Sequence, residues 1–351
     1  MSTIRDVAKR AGVSTMTVSR VINNSGYISQ DARERVERAI SELDYMPNAL
    51  ARSLRFKQTK TIALMLADIT NPFFTTLARG VADMAEEHGF SVLFCNTDES
   101  KTKELDYLTI FLQKQVDGVL LVPASETGEA VALLAARGVP VVTLDRRVQG
   151  EAVDLVRCNS EQGGYNLIRH LIELGHTRIA AISGPRNVST AQDRVTGYRR
   201  ALAEAGIAID ERLICYGDYT EAGGYRLAHE MIRMQPRPTA LFTANNFLAF
   251  GAYRAVREVG MKIPDQLSMV TFDDLPAMLI LEPFLTVVAQ PAYEIGHQAM
   301  ALLLKRLSVE GPASAQEIVL PTTLIVNKSS GAPPIEPRGQ GDGEMGRLGE
   351  S

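Results

Sequence analysis

Over residues 1–46 apolar side chains recur at helical spacing. Ile4, Val7, Ala8 and Ala11 fall at i, i+3, i+4 and i+7, the stripe of a short amphipathic helix, and Gly12 ends it. Ser14 is placed to cap a second helix, on which Val18, Val21 and Ile22 share one side before Asn23, Asn24 and Gly26 stop it. A third run, from Ser29 or Asp31, sets Ala32, Val36, Ala39, Ile40 and Leu43 on one stripe and leaves Arg33, Arg35, Glu37, Arg38 and Glu42 largely outside it. The pattern predicts three helices, the first two joined by a tight turn containing Gly, which is the helix-turn-helix arrangement. After Pro47, residues 49–54 offer only about two helical turns, too few to stand alone in water. Leu50 and Leu54 lie on one side of that segment, and Arg52 and Arg55 on another.

From residue 59 the period changes. Short β-rich runs, "TKTIALMLA" (59–67), "FSVLFC" (90–95), "DGVLLVP" (117–123), "VPVVTLD" (139–145), "RIAAIS" (178–183), "TALFTA" (239–244) and "LSMVTF" (267–272), alternate with helical patterns near 74–88, 101–115, 126–137, 160–174, 191–205, 220–234 and 246–259. This is the βαβ rhythm of open parallel sheets. The runs are apolar throughout, as in sheets covered on both faces. The segment is too long for one compact sheet, so two similar lobes are predicted.

Charge divides the chain at the same place. Residues 1–60 hold 11 Lys or Arg against 6 Asp or Glu, a net of +5, whereas the remainder holds 26 against 35, a net of −9. A basic head on an acidic body points to nucleic acid, with Arg5, Lys9, Arg10, Arg20, Arg33, Arg52, Arg55, Lys57 and Lys60 available to phosphates. Arg20 is also a candidate for base reading, because it lies on the polar side of the second helix with Thr15 and Met16 near that helix's start.

Residues 4–60, which begin "IRDVAKRAGVSTMTVSRVINNSGYISQDARERVERAISELDYMPNALARSLR", resemble the DNA-binding head and hinge of the LacI/GalR family of bacterial transcription regulators, and the match runs to about Ser329. The resemblance implies that Thr15, Met16 and Arg20 touch base edges and that Leu54 wedges into the minor groove. Asn23 and Arg55 complete the expected DNA-contacting set. Arg20 suits guanine, whereas Met16 carries no strong donor or acceptor. The resemblance also implies an all-α helix-turn-helix head joined to a two-lobed α/β core like that of periplasmic sugar-binding proteins. The chain would cross between its lobes near 159–162, 288–292 and 319–323. Expected boundaries are 1–46 for the head, 47–58 for the hinge helix and linker, 59–330 for the effector-binding and dimerisation core, and 331–351 for a disordered tail rich in Gly and Pro.

Open α/β sheets place ligands at strand ends. Asp145 follows "VVTL", Asn245 and Asn246 follow "LFTA", and Asp273 and Asp274 follow "MVTF". Fixed carboxylates and amides are what vicinal hydroxyls need, since a hydroxyl both donates and accepts. The family correspondence implies a small-molecule site built from Phe73, Phe74, Asp145, Thr190, Arg194, Tyr219, Asn245, Asp273 and Gln290. Arg194 and Asp273 are expected to fix the ligand's orientation, with the aromatic rings covering its apolar face.

Several positions depart from the family pattern. Val188 stands where the purine-responsive member has an arginine, which favours a sugar or sugar derivative over the alternative of a purine-responsive, corepressed regulator. Cys158 and Asn246 replace usual aspartates, and Asn327 a usual arginine. Arg146, beside Asp145, leaves open an acidic or phosphorylated sugar.

Catalytic signals are few. His88, His170, His176, His229 and His297 form no close-spaced ligand motif, and neither G-x-x-x-x-G-K-[ST] nor G-x-S-x-G occurs. His176, before a strand, is expected to order a loop. No cofactor, metal or enzymatic activity is expected. Cys95, Cys158 and Cys215 read as free thiols, the N-terminus does not resemble a secretory signal, and no apolar stretch approaches 18 residues, so a cytoplasmic, nucleoid-associated protein without a membrane span is expected. The function implied is a homodimeric repressor of carbohydrate-utilisation genes that binds a near-palindromic operator in double-stranded DNA. A sugar is expected to change that affinity, by induction rather than corepression.

Overall fold

The computed structural model describes residues 2–46, 58–274, 283–308 and 314–334. Leu54, Arg55 and the hinge over 47–57 lie outside the described residues, as does the tail from residue 335. The chain forms two units, dividing between Thr59 and Lys60.

The first unit holds α1 (Ile4–Ala11), α2 (Thr15–Ile22) and α3 (Gln30–Glu42). Each begins at a hydroxyl cap. Thr3 Oγ1 accepts from the Asp6 amide while the Asp6 carboxylate accepts from the Thr3 amide, a reciprocal box that satisfies two donors at the start of α1. Ser14 accepts from the Thr17 amide and Ser29 from the Ala32 amide. Gly12 ends α1 with φ +64°, a conformation that a side chain would strain. Val7, Ala8, Ala11, Val18, Val21, Val36 and Ala39 form the small core. Of the basic residues, Arg10 pairs with Glu42 at 2.6 Å, Arg35 donates to the Ala11 carbonyl at 3.2 Å and Arg33 to Asn24 Oδ1 at 2.9 Å, so these three pin helices together.

The second unit has two six-stranded sheets. In the first lobe β1 (Thr61–Leu66), β2 (Ser91–Asn96), β3 (Gly118–Leu121), β4 (Val141–Leu144), β5 (Asp154–Cys158) and β11 (Glu317–Leu320) lie in the order β11-β5-β4-β3-β1-β2, all parallel. In the second, β6 (Ile179–Ser183), β7 (Ile214–Tyr216), β8 (Ala240–Thr243), β9 (Ser268–Phe272), β10 (Thr286–Ala289) and β12 (Thr323–Ile325) lie in the order β12-β10-β9-β8-β6-β7. Only the β10–β12 pair there is antiparallel. The interior strands are buried on both faces, as their unbroken apolar runs require. β2 is the exception: it is an edge strand, and Leu93 and Phe94 are exposed despite an apolar run like the others.

Helices α4 (Pro72–Glu87), α5 (Lys101–Lys114), α6 (Glu129–Ala135) and α11 (Ala292–Leu307) belong to the first lobe; α7 (Ser160–Glu173), α8 (Ser189–Glu204), α9 (Glu221–Ile232) and α10 (Asn246–Glu258) belong to the second. α4 and α11 cross at reciprocal glycines. A Cβ on Gly80 would fall 2.1 Å from the Tyr293 carbonyl oxygen, and one on Gly296 2.0 Å from that of Leu77, so backbone meets backbone there. The chain passes between lobes three times: from β5 to α7, from β10 to α11, and from β11 to β12. Order continues past the expected start of the tail. Gly331 donates to Ser268 Oγ at 3.0 Å, and its carbonyl lies 2.9 Å from His176 Nε2.

Candidate effector cleft and DNA-reading face

On α2 the caps and core leave Thr15, Met16 and Arg20 on the exposed face, with Met16 63% accessible. Asn23 is not presented with them. Its Nδ2 turns back to the Ser19 carbonyl at 2.7 Å and closes the end of the helix, while its Oδ1 is buried. Tyr27, in the following loop, is 92% exposed, and its position in a polar loop gave no periodic signal.

Between the lobes lies a cavity of about 460 Å³. All nine expected residues line it: Phe73 and Phe74 from the first turn of α4, Asp145 after β4, Thr190 and Arg194 on α8, Tyr219 before α9, Asn245 after β8, Asp273 after β9 and Gln290 after β10. Strand ends and helix starts therefore converge here, as open sheets dictate. The two phenylalanine rings meet edge to face, with centroids 5.0 Å apart. Thr190 Oγ1 lies 3.4 Å from the Tyr219 hydroxyl.

The polar set is buried. Asp145 and Asp273 both have left-handed backbone, φ +65° and +71°, which turns the chain sharply at their strand ends. Burial raises the pKa of both carboxyls, opposed by Arg146 and Arg194 at Asp145 and by Arg194 and Gln290 at Asp273. Arg194 donates through Nη1 to the Ala244 carbonyl at 2.5 Å and lies 3.9 Å over the Phe272 ring. Asn245 commits its side-chain oxygen to the Leu248 amide as the cap of α10.

Of the positions that depart from the family pattern or adjoin the site, Cys158, Asn327 and Arg146 each acquire a partner. Gln290 donates to Asp273 Oδ1 and accepts from the Cys158 thiol at 2.7 Å, linking the ends of β5 and β9 through the second crossing. Burial pushes the Cys158 thiol up to about 12. Asn327 donates to the Leu285 carbonyl at 2.8 Å, a bond within the second lobe. Arg146 does not line the cavity: both its terminal nitrogens are held by Glu99 at 2.6 Å, with the Pro123 carbonyl as a third acceptor. His176 is fully buried and bonded to Thr239 and Ser268, in keeping with a loop-ordering role.

Residues that sequence reasoning did not single out also line the cleft, among them Asp68, Asn71, Asp98, Glu99, Asp218 and Phe247. All but Phe247, which lies in the first turn of α10, sit on connections after β1, β2 and β7, where no periodicity marks them. Asn71 alone left a trace, as a residue placed to cap "PFF". Across the lobes, Arg147 forms a two-bond ion pair with Asp193 at 2.6 and 2.7 Å.

The profile of bacterial regulatory proteins of the lacI family matches residues 3–48, and that of periplasmic binding proteins and the sugar-binding domain of the LacI family matches residues 59–326. The chain belongs to the LacI family. It is 38% identical over 330 residues to the ribose operon repressor of Halalkalibacterium halodurans, covering 94% of this chain and 97% of that one. It is 35% identical over 308 residues to the HTH-type transcriptional repressor PurR of Photobacterium profundum, covering 88% and 92%. Among solved structures, the lac repressor dimer bound to operator and the anti-inducer ONPF shares 28% identity, with a TM-score of 0.83 over 94% of this chain and 99% of that one. This LacI-family protein is thus a DNA-binding transcriptional repressor under small-molecule control, not an enzyme. Among the described residues of the regulator, no helix is long and apolar enough to cross a membrane and no cluster of three or more His, Cys, Asp or Glu could hold a metal ion.

Proposed function

We propose that this regulator is a cytoplasmic homodimer that represses carbohydrate-utilisation genes and is released from a near-palindromic operator by a small sugar or sugar derivative. The observation that carries the reading is the cleft composition: Asp145, Arg194, Asn245 and Asp273 stand beside Phe73, Phe74 and Tyr219 in one interlobe cavity. Hydroxyls on a ring edge need carboxylates, amides and a guanidinium, and the ring's C–H face needs aromatic cover. The similarity to a ribose operon repressor and to a sugar-binding profile points the same way. Val188, buried and apolar at the start of α8, offers no polar side-chain atom to a purine.

In this reading Thr15, Met16 and Arg20 read base edges, Leu54 wedges into the minor groove, Arg55 adds to the contact, and Asn23 acts through the end of α2 that it closes. Two symmetry-related heads give a palindromic preference. Control requires only that the sugar bind the two states of the core unequally. Titrating the full-length protein calorimetrically with sugars and purines, and then its operator complex with each hit, tests the reading. A sugar that binds and lowers operator affinity supports it, and a response to purines alone rejects it.

A further inference from the structure

The charge lining the cleft narrows the ligand class. Among the described residues six carboxylates face it: Asp68, Asp98, Glu99 and Asp145 from the first lobe, Asp218 and Asp273 from the second. Arg194 is the single guanidinium among the described residues of that lining. Two further cations stand behind it, Lys103 on Asp98 and Arg146 on Glu99, and each is already paired with its carboxylate. Asp145 and Asp273 flank Arg194 and are coupled to its charge. Even were both of those carboxyls protonated, the four remaining acids outnumber the three cations.

Hydrogen-bonding capacity adds a second argument. Asp145 and Arg194 both line the cavity, and each has a buried side-chain atom without a protein partner, the acceptor Oδ1 on Asp145 and the donor Nε on Arg194, a pairing that suits a hydroxyl, which both donates and accepts. An acceptor in that position calls for a donor from the ligand. A hydroxyl provides one, whereas an ionised phosphate or carboxylate presents chiefly acceptors. Arg146 is the cation an anionic ligand would need, yet it is only 4% exposed and its terminal nitrogens are occupied by Glu99 and the Pro123 carbonyl.

We infer that the cleft selects an uncharged polyhydroxyl ligand and rejects sugar phosphates and sugar acids, with the Arg146–Glu99 pair keeping the neighbouring guanidinium out of ligand reach. This rests on the sugar reading above and sharpens it.

The test is calorimetric titration of the full-length protein with neutral pentoses, hexoses and disaccharides, each beside its phosphate ester and its aldonate, and with adenine and hypoxanthine. A neutral sugar should bind, and its charged counterparts should bind at least about tenfold more weakly, the gap shrinking as salt is raised. Glu99→Gln, which removes one negative charge and frees Arg146, should narrow the gap. Asp218→Asn, on the exposed rim, should narrow it less and serves if the first variant does not fold. A phosphate or aldonate that binds as tightly as its parent overturns the charge selection and leaves the sugar reading standing. A gap unchanged in both variants also overturns it. Binding by purines alone, or by no sugar of the panel, overturns the sugar reading and this inference with it.

Discussion

Asn71 and Asn246 hold one another across the two lobes by a reciprocal amide pair, Nδ2 to Oδ1 at 3.2 Å in one direction and 3.1 Å in the other. Each also works locally, since Asn71 Oδ1 accepts from the Phe73 amide and Asn246 Oδ1 from the Phe247 amide. Thus the starts of α4 and α10, which carry Phe73 and Phe247 to the cleft, are tied to each other as well as to their own helices. Asn71→Ala removes a cap and strands the buried Asn246 amide, and should lower core stability by about 1–3 kcal/mol. Chemical denaturation of the variant beside the parent measures it; a change within error would show that the pair does not hold the lobes.

Arg147 and Asp193 form the second tie, and they differ in exposure. Arg147 is more than a third exposed, so the pair should contribute only ~0.2–1 kcal/mol and be screened by salt. Arg147→Ala should therefore open the lobes detectably by small-angle scattering at low ionic strength. The difference from the parent should fade at high ionic strength.

Arg20 lies exposed on α2 and carries the sharpest expectation for DNA. If it makes a bidentate contact to guanine, Arg20→Ala should weaken the preferred operator by roughly 1–3 kcal/mol and relax preference at one base pair per half-site. Fluorescence anisotropy on cognate and scrambled duplexes separates this from a phosphate contact, whose loss would weaken both alike.

His176 sets a pH dependence of stability. Burial lowers its pKa below the ordinary value of 6.5, opposed by the bond to the Gly331 carbonyl and reinforced by nearby His170. The unfolded chain therefore takes up this proton at higher pH than the folded one. Stability contributed by the neutral ring is full above pH 6.5 and is lost as pH falls below it. Thermal melts of the parent from pH 7.5 to 5 should show a decline that His176→Gln makes shallower.

The sequence alone determined the periodic parts of this regulator. Three helical stripes with Ser and Thr caps, then apolar strands alternating with helices, are local patterns, and local sterics and burial fix what each becomes. The nine cleft residues were also legible, because strand ends announce themselves in one dimension and the family pattern supplied the rest. Tertiary structure alone decided which polar groups met. Asn246 finds Asn71 across 175 positions of chain, Gln290 finds Cys158 across 132, and Glu99 takes Arg146 out of the cavity. It also decided that β2, as apolar in sequence as its neighbours, is the edge of its sheet. The pairings between lobes depend on how the two lobes approach across three chain crossings, and that of Glu99 with Arg146 on how separate strands of one sheet come side by side, which no spacing within a single element encodes.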